Sequence, residues 1–359
     1  MPVRSRRRSN LRSFYYKLRL AVPVRKPLAM LAVTSGYLRA KLSRKPRLRG
    51  VDIVTNYSCN LRCSHCNIEP MTRKGEPTLS LDDYRAVERQ CSELGVFQYT
   101  FTGGEPLVCK DLEEIIEVFK PHKRLIFLQT NGRLISSLEK ARWLRRIGVD
   151  VVNVSLDSGL PDEHDANRNR PGNYAETMRA LDFVRRAGLR TMIGTVLTHQ
   201  NLHSRGIHEL LEHCERNRIL LVLNLAAPVG RWHDNEDILL TEEDQDHIRG
   251  LTARYPMASL DIEAAINAYG CPGFKEKLYI TPYGEVTGCT FVQVSFGNVK
   301  ESPLRRIRDR ALESGFMSDF SPRCYAAEDR DFMRRTMPHL GGNVPRRHSE
   351  LLEISPGDG

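Results

Sequence analysis

The stretch Gly50-Val51-Asp52-Ile53-Val54-Thr55-Asn56-Tyr57-Ser58-Cys59-Asn60-Leu61-Arg62-Cys63-Ser64-His65-Cys66 decides the reading. Its β-branched opening, Gly50 to Thr55, predicts a short buried strand, and three thiols follow at once with the spacing C-x3-C-x2-C. Working outward, the same strand signal recurs at Phe97 to Thr102, Arg124 to Gln129, Val149 to Leu156, Arg190 to Leu197 and Ile219 to Leu225. Helical patterns at Asp82 to Leu94, Lys110 to Phe119, Ser137 to Ile147, Tyr174 to Ala187 and Ser204 to Asn217 fill the gaps. Alternating βα units imply an α/β fold with a parallel sheet, here a partial six-unit barrel short of the eight units of a closed one.

After Trp232 the rhythm stops, and a second module is expected over 233–340. Thr241, followed by Glu242, Glu243 and Asp244, marks a helix start, and Leu278 to Val286 reads as a hairpin around Pro282-Tyr283-Gly284. Residues 341–359 read as a loose tail and 1–49 as a basic arm. Residues 1–50 hold fifteen Lys/Arg and no Asp or Glu, so of the 54 basic and 44 acidic residues the remainder keeps 39 and 44. The body therefore lacks the charge of a nucleic-acid binder. Arg6-Arg7-Arg8 with Phe14, Tyr15, Tyr16, Leu18 and Leu20 suggests either an amphipathic contact with an anionic membrane surface or a solvated tail. Pro23, Arg25, Lys26 and Pro27 break the apolar stretch from Leu20 to Tyr37, which is thereby too interrupted to cross a membrane. With only nine cysteines in 359 residues, a reducing, cytoplasmic setting, free or peripheral to a membrane, is expected rather than a disulfide scaffold.

Cys59, Cys63 and Cys66 sit in the loop after the first strand, the end of a parallel barrel where active sites collect. Three soft thiolates can hold three irons of a cuboidal cluster and leave the fourth open to an outside ligand. A zinc knuckle is the alternative, with His65 as a nearby fourth ligand but without the usual paired C-x2-C spacing. The motif resembles that of the radical S-adenosylmethionine (SAM) superfamily, whose members share a partial six-unit βα barrel. That resemblance implies a [4Fe-4S] cluster on Cys59, Cys63 and Cys66, with SAM on the open iron. His65 stands where the family usually has a larger aromatic against adenine.

Further residues match the family. Gly103-Gly104-Glu105-Pro106 ends the second strand, where a double glycine lets backbone approach a ligand and Glu105 can accept from a cationic amine. It resembles the site for the methionyl amino group. Ser155 and Asp157 resemble ribose-binding residues; Arg168 offers a fork to a carboxylate or else joins a surface salt-bridge cluster. His164 and Asp165 lie between them. Thr130, Asn131, Thr198 and Asn201 are further candidates at the barrel mouth. Pro228-Val229-Gly230-Arg231-Trp232 reads either as a substrate contact or as a hinge.

Cys271 and Cys289 bracket the hairpin as C-x12-G-x4-C, and Cys324 follows the next helix. They resemble the opening half of SPASM or Twitch extensions, which implies a small α+β module holding an auxiliary iron-sulfur cluster. Cys324 is either its third ligand or a hydrogen-atom donor, the latter making the reaction an epimerisation. Cys91 and Cys214 read as packing residues, and Cys109 as a chance placement near the mouth.

The expected activity is reductive cleavage of SAM to a 5′-deoxyadenosyl radical. This radical removes hydrogen from a carbon of a small biosynthetic substrate, a sugar or natural product, in an epimerisation or oxidation, which would make the enzyme an oxidoreductase or epimerase. A ribosomal peptide or a lipid is the alternative substrate, and a non-catalytic iron-sulfur carrier the alternative class. A reductant such as flavodoxin or ferredoxin would be the partner.

Overall fold

A computed structural model describes residues 16–18, 20, 22–23, 25–43, 45–264, 270–340 and 344–354. The arm call at Arg6, Arg7, Arg8, Phe14 and Tyr15 lies outside these. The barrel units are β1 (Gly50–Asn56), α2 (Leu81–Glu93), β2 (Gln98–Gly103), α3 (Leu112–Val118), β3 (Leu125–Thr130), α4 (Leu138–Arg146), β4 (Val151–Ser155), α6 (Asn173–Arg186), β5 (Arg190–Leu197), α7 (Arg205–Asn217) and β6 (Leu220–Leu225). Two elements were not expected: α1 (Pro27–Leu42) before the barrel and α5 (Pro161–Arg168) after β4.

Six strands pair in parallel and in sequence order, which gives the (βα)6 arrangement of an incomplete barrel. Ile53, Tyr99, Phe101, Ile126, Leu128, Val152, Val154, Ile193, Leu221 and Leu223 alternate along them and join one core with Tyr84, Val87, Ile116, Leu144, Val184 and Leu210 of the helices. Because side chains on a strand alternate in direction, the residues between them face the inside. Thr102, Gln129, Asn153, Ser155, Gly194 and Asn224 therefore make a polar, partly exposed inner wall. Thr102 Oγ1 donates to Gln129 Oε1 at 2.9 Å. Capping fixes the helix starts, as at Ser80 for α2, where the Ser80 hydroxyl accepts from Asp83 N and the Asp83 carboxylate accepts from Ser80 N.

Beyond Trp232, where a second module is expected, strands still join the barrel sheet. Following α8 (Glu242–Arg254), whose start carries the anticipated Thr241/Asp244 capping box, β7 (Ala258–Leu260) extends the sheet beside β6. On the far side, β8 (Lys277–Ile280) pairs in parallel with β1, and β9 (Val286–Thr287) returns antiparallel as the expected hairpin. The C-terminal residues thus continue the same nine-stranded sheet at both edges. The remaining elements are β10 (Val294–Ser295), α9 (Leu304–Glu313), α10 (Arg330–Thr336), β11 (Arg346–Arg347) and α11 (His348–Ile354). The tail reading is corrected for residues 344–354: Arg346 and Arg347 pair with Val294 and Ser295, and α11 follows. The rest of 341–359 lies outside the described residues.

The start of the chain closes the barrel's N-terminal end. Leu20 and Tyr16 pack on Val151, Phe127, Met192, Leu220 and Val222, and Val33 of α1 packs on Phe97 and Leu125. Lys26 Nζ reaches Gly148 O and Asp150 Oδ2, both at 2.6 Å, and Arg190 Nη1 donates to the carbonyls of Leu20 and Val22.

Candidate iron-sulfur site

The cysteine loop leaves β1 at the opposite, open end. It is held in place by β2's exit. A Cβ on Gly103, at φ +146°, would stand 2.2 Å from Asn56 O, and one on Gly104 would stand 2.2 Å from Ser58 O. The glycines therefore admit the loop's own backbone at close range. Gly104 N donates to Asn56 O and Glu105 N to Ser58 O, each at 2.9 Å.

Glu105 is fully buried, and its carboxylate already holds three donors: Leu107 N, Thr130 Oγ1 and Asn131 N, at 2.8 to 3.0 Å. Burial pushes its pKa up to about 7 against the lowering effect of those bonds. An incoming amine would add to a carboxylate that already ties the exits of β2 and β3 together. Pro106 opens the short 3-10 turn after it. Asn131 turns back to the cysteine loop, donating from Nδ2 to Asn60 Oδ1 at 2.8 Å and lying 4.0 Å from Cys59 Sγ.

Arg168, last residue of α5, is buried and meets Asp157. Nη2 donates to Asp157 Oδ1 at 2.8 Å; Nε and Oδ2 are 2.7 Å apart but lack hydrogen-bond alignment. Nη1 points at Cys63 Sγ, 3.7 Å away. The expected free fork and free ribose acceptor are thus engaged with each other, while Ser155 stays half-buried on the inner wall. Although burial opposes it, Arg168 holds Asp157 below the usual carboxylate range. His164 Nδ1 accepts from Asp157 N, and burial lowers the ring's pKa to about 4, so it is neutral. Asp165 accepts from Gly172 N and Tyr174 N at the start of α6. Thr198 and Asn201 bond each other in a local turn.

Arg231 does what the sequence did not reveal. Its Nη1 donates to Arg62 O at 2.9 Å and Cys63 O at 3.1 Å, its backbone N to Cys66 O at 2.9 Å, and its Nε and Nη2 to the Glu69 carboxylate. It is a clamp on the cysteine loop, neither a free substrate contact nor a bare hinge. Trp232 lies against His65, ring centroids 5.7 Å apart, and burial pushes the His65 pKa down to about 4.

The three thiols suit an iron-sulfur cluster by the chemistry of the donor set. Cys59, Cys63 and Cys66 are unpaired and reach the open end of the sheet, and burial raises the pKa of Cys59 to about 11. A zinc knuckle needs its ligands close around one ion, and no three His, Cys, Asp or Glu side chains converge so among the described residues. A cuboidal cluster asks only for thiols at separate corners.

Cys271, Cys289 and Cys324 come together across 54 positions of sequence: each of Cys289 and Cys324 lies within electrostatic reach of Cys271. Burial pushes the Cys289 pKa to about 12 and Cys324 well above its ordinary value. Beside them lies Lys275, fully buried, its Nζ donating to the carbonyls of Met317 and Asp319 at 2.6 Å. The two thiol groups are bridged: Asn67, next to Cys66, donates from Nδ2 to Thr290 Oγ1 at 2.8 Å, and Thr290 is next to Cys289. Gln293 Nε2 returns a bond to Asn67 O. Cys91 and Cys214 are buried packing residues, and Cys109 is half-buried beside the core.

Residues 53–211 match the radical SAM superfamily, and residues 271–328 match the SPASM iron-sulfur cluster-binding domain. The chain is 25% identical over 280 residues to the AdoMet-dependent heme synthase of Nitratidesulfovibrio vulgaris, covering 70% of this chain and 76% of that protein. It is 30% identical over 265 residues to the GTP 3′,8-cyclase of Marinobacter nauticus, covering 69% and 79%. Streptococcus suis SuiB, solved bound to the precursor peptide SuiA, shares the fold with a TM-score of 0.61 at 17% identity, covering 81% and 71%. On these matches the chain belongs to the radical SAM superfamily, whose resident groups are a [4Fe-4S] cluster and SAM, and it carries a SPASM-type iron-sulfur domain.

Proposed function

We propose that this chain is a radical SAM enzyme that oxidises a small biosynthetic substrate, with Cys59, Cys63 and Cys66 holding the SAM-binding cluster and Cys271, Cys289 and Cys324 an auxiliary one. The observation that carries the oxidative form is the placement of Cys324. The SPASM match spans Cys271, Cys289 and Cys324 together, and Cys271 N donates to Ser321 O at 2.9 Å, three residues before Cys324, which supports Cys324 as a ligand. A ligand thiol has no hydrogen to return to a substrate radical, as an epimerase using Cys324 would need.

When bound, the cluster and SAM supply the electron and the hydrogen-abstracting radical. The chain's own residues position and exclude. Arg231 and the Gly103-Gly104 turn fix the thiol loop, Arg168 places a positive charge beside Cys63, and Glu105 would be the acceptor for the methionyl amine. The inner wall of Thr102, Gln129, Asn153 and Asn224 offers amides and a hydroxyl to a polar substrate. Leu20 and Tyr16 pack into the far end, which favours substrate entry beside the cysteine loop. Relatives named for heme and GTP chemistry support a small substrate, while a Bacillus subtilis relative named for bacteriocin biosynthesis, 25% identical over 281 residues, supports a ribosomal peptide as the second reading. A flavodoxin- or ferredoxin-type reductant supplies the electron.

The test is iron and sulfide content with electron paramagnetic resonance on anaerobically reconstituted wild type, Cys59→Ala/Cys63→Ala/Cys66→Ala and Cys271→Ala/Cys289→Ala/Cys324→Ala, with 5′-deoxyadenosine measured after reduction. Each triple variant should lose one cluster's worth of iron and keep the other. Only the first should abolish 5′-deoxyadenosine formation. Loss of all iron from either variant refutes two independent sites, and deuterium from D2O entering product refutes oxidation in favour of epimerisation.

A further inference from the structure

Among the described residues, the large apolar side chains that remain exposed are Leu18, Leu28, Met30, Leu31, Leu38 and Leu42, all within one short stretch of the chain. Four of them, Leu28, Leu31, Leu38 and Leu42, recur at helical spacing along α1 and form one stripe, with Leu31 at 64% and Leu42 at 75% exposure. The opposite face of the same helix, Ala29, Val33 and Ala40, is buried on the barrel, and Gly36 lies directly on Phe97. The helix is thus apolar on both sides: one side is used by the fold and the other faces outward.

The outward stripe ends between exposed Arg39 and Lys41 and belongs to a segment, residues 1–50, with fifteen basic and no acidic side chains. An apolar stripe flanked by Arg39 and Lys41, on a segment whose sequence has no acidic residue, complements a surface that is anionic outside and apolar beneath. A second copy of the chain would instead bring an equal run of like charge against it. The helix is also held firmly: Lys26 bridges to Asp150 and Arg25 Nη1 donates to Gly188 O, both at the starts of barrel strands.

We propose that the outward face of α1 lies on an anionic phospholipid bilayer and moors the barrel by its closed end. Strands of five to eight residues separate that end from the cysteine loop, roughly 20 Å at about 3.3 Å per residue. The open mouth then faces away from the bilayer, and the enzyme draws its substrate from water rather than from the lipid. The lipid is a mooring surface, not the substrate.

Co-sedimentation of the full-length, cluster-loaded protein with phosphatidylcholine vesicles, with and without phosphatidylglycerol, reads the partition coefficient. Binding should require phosphatidylglycerol, fall when ionic strength rises from about 0.1 M to about 1 M, and drop at least about tenfold in Leu28→Gln/Leu31→Gln/Leu38→Gln/Leu42→Gln. These side chains face outward, so circular dichroism and cluster content should stay as in wild type, and neither depends on the substrate assigned above. In a Trp143→Phe background, which leaves Trp232 as the one native tryptophan, brominated acyl chains should quench the added emission of Leu38→Trp and spare Trp232 at the mouth. Equal partitioning of wild type and the four-residue variant overturns the proposal. So does quenching of Trp232, or wild-type self-association that the variant abolishes in the absence of any vesicle binding, which would assign the stripe to a second copy.

Discussion

Replacing Asp157 by Asn removes the partner of a buried guanidinium while leaving side-chain volume almost unchanged. In the wild type, Arg168 has Asp157 at 2.7 and 2.8 Å and Cys63 Sγ at 3.7 Å, all in the same buried pocket. Breaking a buried pair by removing one member costs about 3–5 kcal/mol, because an uncompensated charge stays behind. At about 2 °C per kcal/mol for a chain near this size, the cluster-free protein should melt roughly 6–10 °C lower. The pH dependence has a definite sign. Asp157 is held below its ordinary value of 3.8, so its contribution is full above that value and is lost as pH falls through the lower, folded-state value. The gap between wild type and Asp157→Asn should therefore be constant from neutral pH down to about pH 5 and close only in stronger acid. Differential scanning calorimetry across that range gives the numbers. A double-mutant cycle with Arg168→Leu and Asp157→Leu isolates the pair, and the double variant should be far more stable than the sum of the single losses implies. Simple additivity, or a loss at pH 7 below about 1 kcal/mol, would refute the account of Asp157 and Arg168 as an interdependent buried pair.

Gly104→Ala should displace the thiol loop, since the added methyl meets Ser58 O at 2.2 Å; iron content of the reconstituted protein should drop at the first site, whereas Gly250→Ala, with open space around its Cβ, should leave it intact. Arg231→Lys loses the forked grip on Arg62 O, Cys63 O and Glu69, so iron release to a chelator from the first site should speed up at unchanged melting temperature within about 1 kcal/mol. Glu105 is raised from 4.5 to about 7, so the stability it confers is complete below pH 4.5 and disappears as pH rises through about 7; the cluster-free wild type should lose stability over that interval relative to Glu105→Gln, and parallel profiles would show the carboxylate does not titrate there. Lys275→Met strands the carbonyls of Met317 and Asp319 and should cost about 2–4 kcal/mol in denaturant unfolding.

Much of the fold is written locally. The strand at Arg190–Leu197 and the Thr241 capping box are visible because β-branched runs and capping residues act over a few positions. The three-residue β7 carries no such pattern, and only its pairing with β6 makes it a strand. Pro27, an interruption in the sequence, is the first residue of α1, where a missing N–H leaves no hydrogen bond broken. At the site, the cysteine spacing was legible because one loop holds all three thiols. The grip of Arg231 was not, because it joins residues more than 160 positions apart. Nor was the role of Gly103 and Gly104, since a sequence shows that a backbone is approached closely but not by what. Asp157 and Arg168 stand out in the sequence as polar residues after the fourth strand; that they find each other depends on the unanticipated helix α5.

The bond from Asn67 to Thr290 has a mechanical consequence. Asn67 follows Cys66 and Thr290 follows Cys289, so one 2.8 Å hydrogen bond ties the two thiol loops together. Gln293 Nε2 doubles the tie, donating to Asn67 O and Thr290 O. A shift of one loop is therefore carried to the other across a short polar seam rather than through the core of the sheet.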